Sequence, residues 1–433
     1  MPESPLPASP YPGQRLRKPL TDNCINEWRD NPKYNNPDDS NPAYLAALKD
    51  HEFLDQVESY FDRFLAVVRA PKFRRLLLLI IVLSLSAFFL LTRIIEPFVE
   101  EETAVWTSLI ANTTTSTTGI FGTNVRPHFP NMIHLQDLDP ALLPGSSKRK
   151  QHKGVEAKKR LIFIGDIHGC KDELEDLLKA AHFNPATDHL IATGDIVMKG
   201  PDTAGVIDIL RGCKASCVRG NHEDRLLLVA EDLKATSLRS NKGPGNGIDL
   251  GHEAESFKAD SPERKLALSL SADQLAYLKA CPVILRVGEL KAFGGEAVVV
   301  HAGLVPGLAL EDQDPASVMN MRIVDLKTHV PSKLHEKEGS IPWYVLWKKH
   351  QQLAPAQQHL ADLRDSGKWK SAVKPTTIIY GHDAKKGLQI NKYTKGLDSN
   401  CVRGGKLSAL VVDEKGKQEV VQVPCRDERQ VAS

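Results

Sequence analysis

Apolar residues follow three different rhythms along this chain. Between Leu76 and Thr92 the sequence LLLLIIVLSLSAFFLLT runs without a charge or a polar face. As a helix it covers roughly 25 Å at about 1.5 Å per residue, slightly short of a bilayer core of about 30 Å. Ile94 and Ile95 lengthen it when Arg93 snorkels to the interface. This predicts a transmembrane helix over residues 76–95. The run starts too far from the N-terminus for a secretory signal, and no small-residue cleavage site follows it closely. Before it, Phe53, Leu54, Val57, Phe61, Phe64, Leu65 and Val68 recur near helical spacing. They predict an amphipathic juxtamembrane helix within 51–75, either lying on the membrane face or continuing into the span.

From Leu161 the apolar runs are short, and several end in glycine plus a polar side chain. LIFIGD, HLIATGD and a run ending at Arg219 alternate with helical stretches at Lys171–Ala181 and Asp202–Arg211 and one from Glu223. Later strands fit VILRV, AVVVH, TTIIYGH, LSALVV and EVVQV. The alternation predicts an α/β domain with buried central strands over 161–424. Around these elements lie a Pro-, Asn- and Asp-rich tail over 1–50, expected to be disordered, and a linker over 96–160. A mobile insertion is expected at 235–262 around NKGPGNG, and a short tail at 425–433.

Charge adds a topology. The net charge of +2 gives no global attraction for nucleic acid, and none is required. Lys72, Arg74 and Arg75 precede the span, which puts the N-terminus in the cytosol and the α/β domain in a lumen. Asn112-Thr113-Thr114 is a candidate glycosylation sequon just beyond it. The seven cysteines fit no zinc ribbon or finger. They read as small buried side chains, with room for one or two disulfides in an oxidising lumen and no pairing deducible.

Five segments carry chemistry: Gly165-Asp166-Ile167-His168-Gly169, Gly194-Asp195, Gly220-Asn221-His222-Glu223, His301-Ala302-Gly303 and Gly381-His382-Asp383. Each follows an apolar run, and the C-terminal ends of strands gather at one edge of an α/β sheet. Singly, each is more often structural. Together they supply oxygen and imidazole donors suited to zinc, manganese or iron. A carboxylate such as Asp195 can bridge two ions about 3.5–4 Å apart, which lower the pKa of a shared water and orient a phosphoryl group.

These motifs resemble the calcineurin-like metallophosphoesterases of the phosphoprotein-phosphatase-like superfamily, over about residues 161–424. The resemblance implies a β-sandwich flanked by helices and two divalent ions, zinc favoured, with manganese, cobalt or iron as alternatives. It implies one ion on Asp166, His168 and bridging Asp195, and a second on Asp195, Asn221, His301 and His382. A metal-bridging hydroxide would attack phosphorus directly, and His222 would protonate the leaving oxygen. One departure stands out. Protein Ser/Thr phosphatases carry GDxVDRG where this chain has Gly194-Asp195-Ile196-Val197-Met198-Lys199-Gly200. Met198 cannot orient His222 as an aspartate would, and Lys199 replaces a planar arginine clamp with a point charge. In lacking that aspartate, and in Leu397-Asp398-Ser399-Asn400-Cys401-Val402-Arg403-Gly404-Gly405-Lys406-Leu407, the chain resembles bacterial diadenosine tetraphosphatases.

Combined with one membrane anchor, the match extends to the zinc-dependent endopolyphosphatases of fungal vacuoles. Lys368, Lys370, Lys374, Lys385, Lys386, Lys392, Lys395, Arg403 and Lys406 surround His382 in sequence, against only Asp383 and Asp398. Such a field would draw in a long anion. Lys199, Arg219, Arg322 and Arg403 are candidate phosphate contacts, while Trp343 and Trp347 read as core. The expected activity is hydrolysis of phosphoanhydride bonds in inorganic polyphosphate. Dinucleoside polyphosphate hydrolysis, protein Ser/Thr phosphatase activity and a non-catalytic anchored scaffold are the alternatives.

Overall fold

The computed structural model describes residues 59–111, 132–145, 160–239, 260–366 and 374–427. It divides into two units, Met1–Phe98 and Val99–Ser433. Asn112, the tail over 1–50, Lys368, Lys370 and most of the expected insertion lie outside the described residues.

In the first unit, residues 59–69 and helix α1 (Pro71–Leu90) are helical, and α1 buries none of its side chains. The helical run Pro71–Thr107 is the one span among the described residues long and apolar enough to cross a membrane. A wide turn at Leu91–Ile95 precedes α2 (Glu96–Ala111). Pro97 accounts for it, because its ring displaces the carbonyl four residues back and it donates no hydrogen bond.

The second unit is built on two sheets. One has the order β14-β13-β2-β3-β4: β2 is Arg160–Ile164, β3 Asp188–Ala192, β4 Ser216–Cys217, β13 Lys406–Asp413 and β14 Gln418–Pro424. The other has the order β1-β5-β6-β10-β12-β11: β1 is Leu135–Asp137, β5 Ile284–Leu290, β6 Gly295–Val300, β10 Thr376–Tyr380, β11 Gln389–Ile390 and β12 Thr394–Gly396. A small third sheet joins β7 (Ile323–Asp325), β8 (Pro331–Ser332) and β9 (Ser340–Pro342).

Strand alternation decides how these layers stack. Leu161 and Phe163 of β2 point into a core shared with Val299, Ile379 and Leu410, which lies between the two large sheets. Their neighbours Ile162 and Ile164 point the other way, onto α3 (Lys171–Ala180), α4 (Thr203–Gly212), α5 (Asn221–Arg239), α6 (Pro262–Ser269) and α7 (Ala272–Ala280). In the second sheet Val298 and Val300 pack on α8 (Pro315–Asn320), α9 (Trp343–Ser366) and Val105 and Leu109 of α2. Both faces of each sheet are therefore buried, which is why the strands read as unbroken apolar runs. The architecture is helices, sheet, sheet, helices, as the resemblance implied.

Two segments outside 161–424 are built into this unit. β1 pairs in parallel with β5, and Cys425 is joined to Cys401 by a disulfide. A second disulfide joins Cys217 to Cys281. Both pairs close loops and disfavour the unfolded chain by roughly 3–4 kcal/mol each.

Phe163 is fully buried at the centre of the inter-sheet core. Replacing it with alanine is expected to lower unfolding stability by about 3–5 kcal/mol in a urea titration. An unchanged midpoint would contradict this packing.

Candidate metal centre

β2, β3 and β4 run parallel, and so do β6 and β10. All five motif segments therefore leave their sheets at one edge of the sandwich. Hydrogen bonds join them there. The His168 N–H donates to the Asp195 carbonyl at 2.8 Å, and the Gly381 N–H to the His301 carbonyl at 2.9 Å. Two glycines let the segments close up. A Cβ on Gly381 would lie 1.9 Å from Asp166 Oδ1, and one on Gly220 would lie 2.3 Å from Asp195 Oδ1.

Backbone carbonyls fix the imidazole tautomers, because a carbonyl can only accept. His168 Nδ1 donates to Val197 (3.1 Å), His301 Nδ1 to Thr193 (2.9 Å) and His382 Nε2 to Asn320 (3.1 Å). The other ring nitrogen of each then presents a lone pair. His301 Nε2 lies 3.2 Å from His382 Nδ1, 3.1 Å from Asn221 Oδ1 and 3.3 Å from Asp195 Oδ1. With the imidazoles neutral, four lone pairs thus converge on one buried point, an arrangement that a cation satisfies.

The other oxygen of Asp195 faces a second group. Asp195 Oδ2 is 3.5 Å from His168 Nε2 and 3.9 Å from His222 Nε2. Among the described residues, His168-Asp195-His222 and Asp195-His301-His382 each bring their ligand atoms within 4.8 Å of one another. Asp195 belongs to both. Asp166 lines the same cavity but not the tighter groups, and its carboxylate accepts the His382 N–H at 3.0 and 3.1 Å. The donor set fits divalent cations.

Electrostatics agree. Burial opposes ionisation of Asp195, but the imidazoles of His301 and His222 outweigh it and hold the carboxyl well below the usual range. Burial also lowers His301, yet Asp195 beside it raises the imidazole above its ordinary value. Positive charge is strongly attracted to this point. Burial, then the charges of Asp398 and Asp195, push Asp166 well above the carboxylate range. Burial drives His222 down to about 3. Its Nδ1 has no hydrogen-bond partner, and Met198 packs partly buried against the core, offering no acceptor.

Sequence reasoning gave Glu223 no role, although it completes the Gly220-Asn221-His222-Glu223 motif. Its fully buried carboxylate accepts N–H bonds from Asp195 (2.8 Å), Ile196 (2.8 Å), Val197 (3.0 Å) and Gly220 (2.8 Å). It ties the loop carrying Asp195 to the turn carrying Asn221 and His222. Burial and the Asp195 charge raise Glu223 to about 7 against these four donors.

A cavity of about 220 Å³ opens over the donors. Lys199, Arg322 and Arg403 line it, together with Lys385 and His335, which sequence reasoning had not singled out as phosphate contacts. Arg219 is not among the lining residues. It is buried, 3.5 Å from Asp224, and donates to the Lys279 carbonyl at 3.3 Å. The described members of the basic stretch around His382 are placed differently: Lys374 pairs with Glu289, Lys395 is buried against the Asn391 carbonyl and Lys392 covers the Tyr393 ring, while Lys385 and Arg403 line the cavity. Trp343 and Trp347 are core, as expected.

Residues 159–386 match the calcineurin-like phosphoesterase family. The chain is 29% identical over 306 residues to a zinc-dependent endopolyphosphatase of Saccharomyces cerevisiae, covering 66% of this chain and 87% of that one. It is 27% identical over 291 residues to a symmetrical bis(5'-nucleosyl)-tetraphosphatase of Nitrosomonas europaea, covering 60% of this chain and 97% of that one. The solved structure of a candidate diadenosine tetraphosphatase is 29% identical, with a TM-score of 0.47, and the match covers 68% of this chain and 99% of that one.

Two outcomes follow. Glu223→Gln keeps one acceptor oxygen and places an amide donor against backbone N–H groups, so kcat is expected to fall by about 10²-fold or more while the protein stays folded. Wild-type turnover in that variant would show that the four bonds are dispensable. Because burial and the charges of Asp398 and Asp195 favour the protonated form of Asp166, protons compete with divalent cations there. Affinity for manganese measured by calorimetry is therefore expected to weaken as pH falls from 7.5 to 5.5, with proton release on binding. Equal affinity at both values would remove Asp166 from the ligand set.

Proposed function

The chain belongs to the calcineurin-like phosphoesterase family of metal-dependent phosphoester hydrolases, and on that premise we propose that it cleaves phosphoanhydride bonds within inorganic polyphosphate. The observation that carries this reading is the cavity wall. Lys199, Arg322, Lys385 and Arg403 line it beside Asp383 and Asp398, and among the described residues His is the only ring-bearing type there. A nucleotide would be expected to need a stacking surface, whereas a run of phosphates needs charge. The identity to an endopolyphosphatase across 87% of that protein supports the same substrate.

We assign two divalent cations, zinc favoured, to the two groups that share Asp195. Asp166 and His168 would complete one side and Asn221, His301 and His382 the other. When bound they would activate water and neutralise charge on the phosphoryl group. Lys199, beside His168, and Arg322, near His382 and 3.9 Å from Asp383, flank Asp195 from opposite groups. Phosphates on both sides of the scissile bond could then be held, which favours internal cuts. His222 faces the Asp195 side of the cavity without a carboxylate at Nδ1. A leaving phosphate is a far weaker base than a serine alkoxide and needs less help from an acid. The missing aspartate at Met198 therefore suits an anhydride better than a phosphoprotein.

We further propose that Pro71–Thr107 anchors the chain with the catalytic unit in a lumen. Two disulfides support an oxidising compartment. The vacuole is proposed from the resemblance to fungal vacuolar enzymes.

Incubating the full-length protein with long-chain polyphosphate and zinc, manganese or cobalt is expected to give intermediate chain lengths on a gel before short products. Hydrolysis of diadenosine tetraphosphate with polyphosphate left intact would replace this reading with the dinucleotide one.

A further inference from the structure

Arg403 sits at the tip of a turn that leaves the sheet and folds over the cavity. The last register pair of the β13–β14 hairpin is Lys406 with Pro424. Beyond it, the turn over 399–405 and the segment 425–427 run on together, the base of the turn held to β13 by the Lys406 N–H donating to the Ser399 carbonyl at 3.0 Å and Ser399 Oγ donating to the Lys406 carbonyl at 2.6 Å. Cys401, Val402 and Arg403 of the turn line the cavity, and Asn400 holds a left-handed backbone at φ 64°. The following segment straps this turn at three points. The Cys425 N–H donates to the Gly405 carbonyl at 2.9 Å, Arg403 bridges to Asp427, and Cys425 is bonded to Cys401. The strap is itself seated on α3, where the Arg426 N–H donates to the buried Glu173 carboxylate at 3.3 Å.

Two of these ties are backbone contacts beyond the last register pair of the hairpin, and hairpin ends open more readily than their centres. The disulfide is covalent, and Cys401 is two residues from Arg403. We propose that the Cys401–Cys425 disulfide is a positioning element for anion capture. It holds Arg403 on the cavity wall, and its reduction weakens phosphate binding without disturbing the metal donors. None of the donors lies on the turn or the strap. The step is a two-electron reduction by a water-soluble phosphine. The S–S bond breaks, two thiols form, and the phosphine takes oxygen from water to become its oxide. The inference rests on the cavity being a phosphate site, not on which phosphoanhydride is cleaved.

The test uses the full-length, manganese-loaded protein and inorganic phosphate as the calorimetric probe. Cys401→Ser with Cys425→Ser is expected to bind phosphate about tenfold more weakly than the oxidised protein, and Arg403→Ala about as weakly. Adding Arg403→Ala to the double-serine variant should cost less than about twofold more, because the bridge acts through Arg403. Phosphine treatment of the folded wild type should reproduce the double-serine affinity and leave that variant unchanged, which separates this bridge from Cys217–Cys281 and covers a variant that fails to fold. Manganese affinity should be the same throughout. Equal phosphate affinity in oxidised and reduced protein, or full additivity with Arg403→Ala, would overturn the proposal. Failure of the wild type to shorten polyphosphate would remove the substrate assignment alone, since inorganic phosphate probes the cavity under either reading.

Discussion

One buried carboxylate sets the terms for the rest of this protein. Asp195 is 3% exposed and holds a left-handed backbone at φ 49°. Its two oxygens face different clusters of lone pairs. Such a backbone conformation costs a non-glycine residue of order 1 kcal/mol or more and persists only where its surroundings impose it. Glu223 imposes it here, accepting N–H bonds from Asp195 and the two residues after it. A second buried anion next to Asp195 is unfavourable in itself. The sandwich tolerates the pair because four N–H donors hold Glu223 and because the imidazoles around Asp195 gather positive charge.

The sheets explain how these groups meet. Parallel strands of one sheet deliver Asp166, His168, Asp195, Asn221 and His222, and parallel strands of the other deliver His301 and His382. The contact from His301 Nδ1 to the Thr193 carbonyl crosses between the sheets. The inter-sheet core of Phe163, Val299, Ile379 and Leu410 therefore fixes the distance between the two halves of the donor set. Around that set the wall carries Lys199, Arg322, Lys385 and Arg403, with Asp383 and Asp398 among them.

Much of this was legible in the sequence, for identifiable reasons. The donor segments showed because each follows a buried strand, and strands buried on both faces read as apolar runs long enough to notice. β1, β7, β8, β9, β11 and β12 are two or three residues each, too short to show any period. Spacing along the chain could not tell which of nine basic residues reach the cavity, because Lys374, Lys392 and Lys395 find local partners that only the fold supplies. Arg219 likewise finds a partner in Asp224, one helical turn into α5, and is absent from the cavity lining. Glu223 was visible as a letter in a motif, but its role is defined by backbone donors, which carry no sequence signature. The pairing of Cys401 with Cys425 likewise depends on the β13–β14 register.

The two donor groups share Asp195, so neither is complete without it. Elemental analysis of manganese-loaded wild type and Asp195→Asn tests this directly. Two ions per chain are expected in the wild type, and loss of both in the variant under the same loading conditions. A variant that keeps one fully occupied site of unchanged affinity would contradict it.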